Sequence, residues 1–325
     1  MIIWVHDALF SKERHDPDLL TLLRNAAVRR HTLLISTHLN APQPRQITPC
    51  FEQWLESFSN PLQSEIRLLH ERLKDIPPNA TARGTTRLLV ATENLPDEVE
   101  GCQVSLAEAV RAAAQPLYLL VEDQINDAAF LRQVMPPSWR KKMQKWEKSG
   151  QLRYENRGGI HSMKRLVDFH SQDSKARLAY GLPAKLWWLT HFIIFDHDGD
   201  AAECPSEDSK SLGKSCDEGC RLSHYHRLER RTQENYLPKK AMEIIVEEGL
   251  SNQSDREEML RLIEQHHEQD IQIRYFAKMP SIGKKYKKIF KNKFNRDTAW
   301  PSEWFKEDGV WPEMTTLAEK IAAAM

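Results

Sequence analysis

The chain has 325 residues, 40% apolar and 28% charged, with 46 Lys and Arg balanced by 46 Asp and Glu. That length suits about two domains, and the composition suits an ordinary packed core, which excludes a disordered or fibrous chain. Five widely spread cysteines exclude a disulfide framework, and zero net charge points to no class of partner. No apolar stretch approaches a membrane span, and "MIIWVHDALFSKERH" lacks the basic and long apolar regions of a signal peptide. The expectation is a cytoplasmic protein with no membrane contact.

Short β-rich apolar runs alternate with helical patterns from the start. "MIIWV" (1–5), "HTLLIST" (31–37) and "TRLLVAT" (86–92) read as strands. "DPDLLTLLRNAAVRR" (16–30), "CFEQWLESFSNPLQSEIRLLHERL" (50–73, broken near Pro61) and "SLAEAVRAAA" (105–114) read as helices, the last capped by Ser105 with Glu108 three residues on. Such alternation predicts βαβ units and a parallel sheet, hence an α/β fold. Pro116 ends the third helix and sets a domain boundary near 113–116. The expected organisation is an α/β accessory domain over 1–113, a second α/β domain with helical insertions over 114–298, and a Trp-anchored strap and helix over 299–325.

In the second domain the predicted order is a strand (117–121), helices (126–134 and 138–149), a strand with a Gly158–Gly159 turn (152–160) and a helix (161–171). A linker helix (173–180) leads to a strand (188–195). Beyond it lie a helix (205–220) capped by Ser206, a strand (221–230), two helices (238–250, 255–269) and a strand ending near Lys278. Three of these strands end in acids: Glu122 with Asp127 in "LLVEDQIND", Asp196 and Asp198 in "FIIFDHDGD", and Glu234 in "ERRTQENYL". Ligands of open α/β sheets bind outside the carboxyl ends of the strands, where these acids would converge. Alternation along a strand points Asp196 and Asp198 the same way. Like charges so placed call for a hard divalent cation with oxygen ligands, Mg²⁺ or Mn²⁺. The bland alternatives are capping by Glu122 and Asp127 and salt bridges to Arg230, Arg231 and nearby Lys.

"YLLVEDQINDAAFL", "IIFDHDGD" and "LERRTQENYLP", in that order, resemble the Toprim domain of the OLD-type (overcoming lysogenization defect) nucleases and their single-chain relatives in anti-phage defence. The resemblance covers residues 114–290. It implies a Toprim fold and a two-metal endonuclease of DNA or RNA, tRNA included. Its ligands would be Glu122, Asp196 and Asp198 for one ion, Asp127 assisting and Glu234 near the second. The family places a lysine after the ENYL segment, which implies Lys278, with Lys284 and Lys285 as rivals. Asp123 stands where relatives often have glycine, so Asp123 or Asp127 is the ligand. "SLGKS" (211–215) lacks the first glycine of a phosphate loop, so the ATPase or sensor that controls such nucleases would act in trans. A homo-oligomer is also open. "FIIFDHDGD" is similar to the motif of haloacid-dehalogenase-like phosphatases as well, with Asp196 as nucleophile and Asp198 as acid. A third reading is a non-catalytic nucleic-acid-binding or partner-sensing module.

Other clusters read as structure. The spacing C-x11-C-x3-C-x3-H-x-H of Cys204, Cys216, Cys220, His224 and His226 matches no standard zinc site. Asp7 and Glu93 at two early strand ends are too few for a second acidic site. Tyr286, Phe290 and Phe294 are expected to face the core, with the neighbouring lysines outward.

Overall fold

The computed structural model describes residues 1–12, 15–29, 31–37, 48–73, 87–91, 102–171, 184–219, 224–277, 290, 293–294 and 299–325. Two four-stranded parallel sheets, each covered by helices, make an α/β protein. Among the described residues no helix is long and apolar enough to cross a membrane.

The first sheet contains β1 (Ile2–His6), β2 (Thr32–Ser36), β3 (Arg87–Val90) and β4 (Cys102–Val104), in the order β2-β1-β3-β4. The second contains β5 (Leu117–Val121), β6 (Leu152–Asn156), β7 (His191–Phe195) and β8 (Tyr225–Arg227), in the order β6-β5-β7-β8. Each sheet therefore has its first strand inside, its second on one flank and its third and fourth on the other. The sequence shows no repeat, yet the same winding occurs twice. The strands pair in parallel, and the inner ones are mostly apolar, as β7 shows with all five residues buried, while the flanking β6 and β8 carry polar residues. β4 was not anticipated, because three residues give too short a pattern to read.

One predicted strand begins as a helix, and another segment expected to be extended is helical. Residues 188–190 belong to a helix, Ala184–Thr190, and β7 starts only at His191. The reason lies in what the helix joins. Leu186 and Leu189, three apart, enter the core of the first sheet, while Trp187 and Trp188 pack against Leu120, Ile193 and Phe195 of the second. A strand would put every second residue on one face and could not serve both cores this way. Residues Ile271–Phe276, where the approach to a strand was expected, are helical, with Arg274 N donating to Asp270 O at 3.0 Å. Lys278, Lys284, Lys285, Tyr286, Glu93, Cys220 and the linker helix 173–180 lie outside the described residues.

The helix Leu106–Ala114 packs in the first core, and β5 opens the second sheet. Ser105 and Glu108 form the expected reciprocal cap. The C-terminal segment is a strap and helices, but it is no separate unit. Phe305, Met314, Leu317 and Ile321 share one core with Leu119, Val121 and Phe192, and Phe290 and Phe294 join it as expected.

A buried polar knot fixes the last helix, Trp311–Ala324, to the chain after β8. Glu313 accepts from Tyr236 OH (2.8 and 2.6 Å), His226 Nε2 (3.0 Å) and Glu229 N (2.9 Å). His226 is therefore spent on structure, His224 Nδ1 pairs with Trp188 O at 2.9 Å, and Cys216 is core. These contacts leave no described zinc set. Glu313→Ala would strand three polar partners in the interior and is expected to cost about 3–5 kcal/mol, read as a lower urea midpoint. Glu313→Gln should recover part of the loss, since it can still accept from Tyr236.

Candidate metal centre

In the second sheet the chain leaves β5 for β6 on one flank and returns to β7 on the other. The order reverses between β5 and β7, and the crevice outside their carboxyl ends is the topological switch point where α/β sheets bind ligands. Glu122 follows β5 directly, and Asp196 follows β7 directly.

Each acid is placed by local structure. Asp123 is exposed and caps the helix Gln124–Val134, accepting from Ile125 N, Asn126 N and Asn126 Nδ2. Asp127, one turn later, is buried and turned back to the strand end, where Asp123 N (3.1 Å) and Gln233 Nε2 (2.6 Å) donate to it. Of the two rivals it is Asp127 that belongs to the crevice.

The Asp196–Asp200 loop is held tightly. Asp198 is the only non-glycine residue with positive φ (52°) among the described residues, a conformation Asp tolerates better than most. Its N–H donates to Arg231 O at 2.8 Å. A Cβ on Gly199 would lie 2.0 Å from Cys204 O, so only glycine fits there. His197 Nδ1 accepts from Gly199 N at 3.1 Å, which leaves Nε2 as the donor to Ala202 O at 3.1 Å. Ser209 Oγ closes the other end on Asp196 O at 3.1 Å. β7 has ended at Phe195, so Asp196 and Asp198 are aimed by this turn and not by strand alternation.

Glu234 sits in a 3-10 turn, Gln233–Tyr236, whose other residues anchor it. Asn235 Nδ2 donates to Ala277 O at 3.0 Å, and Tyr236 enters the Glu313 knot. Arg230 is consumed by Asp308 (2.6 Å) and Asn235 O (2.9 Å) and lies over the Tyr275 ring, while Arg231 pairs with Asp200 and Gly199 O. Of the salt bridges expected from these two arginines, the one from Arg231 reaches Asp200, and Arg230 pairs with Asp308 instead. No described Lys or Arg ion-pairs with Glu122, Asp127, Asp196 or Glu234.

Electrostatics binds these acids into one group. Burial pushes the Glu122 carboxyl from 4.5 to about 7, with Asp127, Asp198 and Glu234 adding repulsion. Burial and then Glu122, Asp198, Glu234 and Asp127 hold Asp196 well above the usual carboxylate range. Burial also raises Asp127, against the hydrogen bond from Gln233. Burial lowers His197, leaving a neutral ring. Among the described residues no group of three or more His, Cys, Asp or Glu side chains is arranged so that it could hold a metal ion. Glu122 and Asp196 thus feel one another's charge and those of Asp127, Asp198 and Glu234. The donor set fits a hard divalent ion, and Glu122 Oε1 is buried with no hydrogen-bond partner.

The first sheet offers the contrast. Asp7 follows β1 at the same topological place, is 3% exposed, and is filled by Thr48 Oγ1, Cys50 N (3.2 Å) and Phe51 N (3.1 Å) at the start of the helix Pro49–Glu56. It serves as a helix cap. Comparison of the chain with protein-family models, with curated proteins and with solved structures returned no match in any of the three.

Because Glu122 binds its proton more tightly folded than unfolded, the stability this gives is complete below pH 4.5 and fades as pH rises through about 7. Urea denaturation in metal-free buffer is expected to show a fall on the order of 3 kcal/mol across that window. Glu122→Gln should flatten the profile, whereas an unchanged slope would place the raised carboxyl elsewhere.

Proposed function

We propose that this chain is a divalent-metal-dependent phosphodiester endonuclease of the Toprim type, acting on DNA or RNA as the effector of an anti-phage defence system. The observation that carries the reading is the convergence of Glu122, Asp127, Asp196, Asp198 and Glu234, from the segments after three adjacent strands, on one switch-point crevice, where burial and the neighbouring acids raise the Glu122 and Asp196 carboxyls. In this reading Glu122, Asp196 and Asp198 hold one ion and Glu234 faces a second, with Mg²⁺ or Mn²⁺ as the fitting species.

Bound ions would supply charge neutralisation at the scissile phosphate and a water acidic enough to attack it near neutral pH. The chain's own residues provide the frame. Asp198 is fixed by its backbone bond to Arg231, and Gly199 permits the close turn that presents it. Asp127 positions Gln233 beside Glu234 through the 2.6 Å hydrogen bond. His197, neutral and engaged through both ring nitrogens, orients the loop and carries no proton traffic.

Control in trans by an ATPase or sensor belongs to the same proposal. "SLGKS" runs inside the helix Glu207–Gly219, with Gly213 in mid-helix, so it forms no phosphate loop. A phosphatase with Asp196 as nucleophile would leave Glu122 and Glu234 without a task, which favours the nuclease.

The deciding experiment mixes purified protein with plasmid, single-stranded DNA and total tRNA in Mg²⁺, Mn²⁺ or EDTA, beside Asp196→Ala/Asp198→Ala. Cutting that needs metal and falls at least about 100-fold in the double variant is the expected result. Equal activity in both proteins would identify a contaminant. Silence in both, together with equal harmlessness when expressed in cells, would sink the catalytic reading.

A further inference from the structure

Beside the acidic crevice, on the outer flank of β8, lies a pocket of about 360 Å³ that the metal-centre reading does not use. It is bounded by His197 of the Asp196–Asp200 loop, Arg227 and Glu229 at the end of β8, and Phe276 from the helix Ile271–Phe276. The size reaches the lower end of the range for small-molecule sites.

Arg227 is the feature that needs a reason. It is the last residue of β8 and pairs in register with Phe195, one position before Asp196. Tyr225, two residues earlier on the same face, stacks on Phe195, whereas His226 points the other way into the Glu313 knot. Arg227 Nη1 would lie 3.9 Å from a Cβ placed on Gly213, so the guanidinium lies along the helix Glu207–Gly219 at a spot where that helix has no side chain. It is half-buried, and its charge acts on His197.

The other nearby arginines are spent: Arg230 on Asp308 and Arg231 on Asp200. Arg227 has no ion-pair partner among the described residues, although five carboxylates lie across the loop. A guanidinium fork can grip two phosphate oxygens at once, as it can a carboxylate, and partial burial strengthens the contact.

We infer that Arg227 and its pocket bind a backbone phosphate flanking the scissile one, so that the substrate strand leaves the metal centre across the β8 edge. The inference rests on the nuclease reading and names the residue that senses the nucleic acid beyond the reacting bond. Glu229 and Glu313 share the pocket with Arg230; Glu313 is engaged by Tyr236, His226 and Glu229 N, and burial and then Glu313 raise the Glu229 carboxyl, which reduces its opposition to a phosphate. Phe276 closes the inner wall against the His197 ring, with centroids 5.0 Å apart, and Arg230 covers the Tyr275 ring. No aromatic face is therefore offered to a base, and the contact reads backbone rather than sequence.

The test uses the full chain carrying Asp196→Asn to prevent turnover, with Ca²⁺ present, and fluorescein-labelled single-stranded and duplex oligonucleotides. Binding is followed by anisotropy between about 50 and 200 mM salt. Arg227→Gln is expected to weaken binding several-fold and to reduce the salt slope by about one phosphate contact, that is by about 0.7 for single strands or 0.9 for duplex. Arg227→Lys should keep most of the slope, because it keeps the charge while losing the fork. Equal affinity and slope in Arg227→Gln and the parent would overturn the inference. If the otherwise wild-type chain cleaves and Arg227→Gln cleaves with unchanged KM, the nuclease reading stands and this subsite falls. If the parent neither binds nor cleaves, both fall.

Discussion

Mutual repulsion among carboxylates is the constraint around which the second half of this protein is organised. Glu122, Asp127, Asp196, Asp198 and Glu234 come from the segments following β5, β7 and β8, and each added negative charge makes the next harder to ionise. A free chain would never hold them together. The folded chain does so because the apolar strands β5 and β7, with β8 beside them, are committed to one sheet, whose burial contributes about 1.5–3 kcal/mol for each large apolar side chain. Phe192 and Ile193, both 0% exposed, stand directly behind the acids they deliver. The energy of the core is spent on assembling a charge cluster that contributes nothing favourable to folding by itself.

Holding such a cluster requires more than a sheet, and the additional parts are backbone contacts and buried polar pairs. The Asp198 turn is closed by Arg231 O, Gly199, His197 and Ser209. The Glu234 turn is closed by Asn235, Tyr236 and, at a distance in sequence of 77 residues, Glu313. The residues flanking Glu234 are therefore as fully employed as Glu234 itself, in fixing position rather than in chemistry. Arg230 is the clearest case: a buried cation beside an acidic crevice that pairs away from it, with Asp308. An arginine aimed at the acids would have neutralised part of their charge.

The two sheets share one strand order and differ in what stands at the switch point. In the first, Asp7 meets the start of a helix, whose free N–H groups and a threonine hydroxyl satisfy it. In the second, the acids meet one another. The same winding thus produces a helix cap in one half and a candidate ion site in the other, and the difference is which group arrives opposite the strand end.

The sequence by itself determined the alternation of strands and helices, the start of β5 after Pro116, the Ser105–Glu108 cap and the positions of the acids, because each is written in a local period or in a residue type next to an apolar run. Phe290 and Phe294 were legible as core for the same reason. It could not separate Asp123 from Asp127, since both follow a strand within one helical turn and only burial and Gln233 distinguish them. It misassigned 188–190, because an apolar run has no period and only contact with two cores imposes one. Arg227 was invisible as well: its meaning lies in Gly213, His197 and the partners that Arg230 and Arg231 had already taken. Tertiary structure alone decided these points, because which charges are satisfied and which are left over depends on groups brought close from distant parts of the chain.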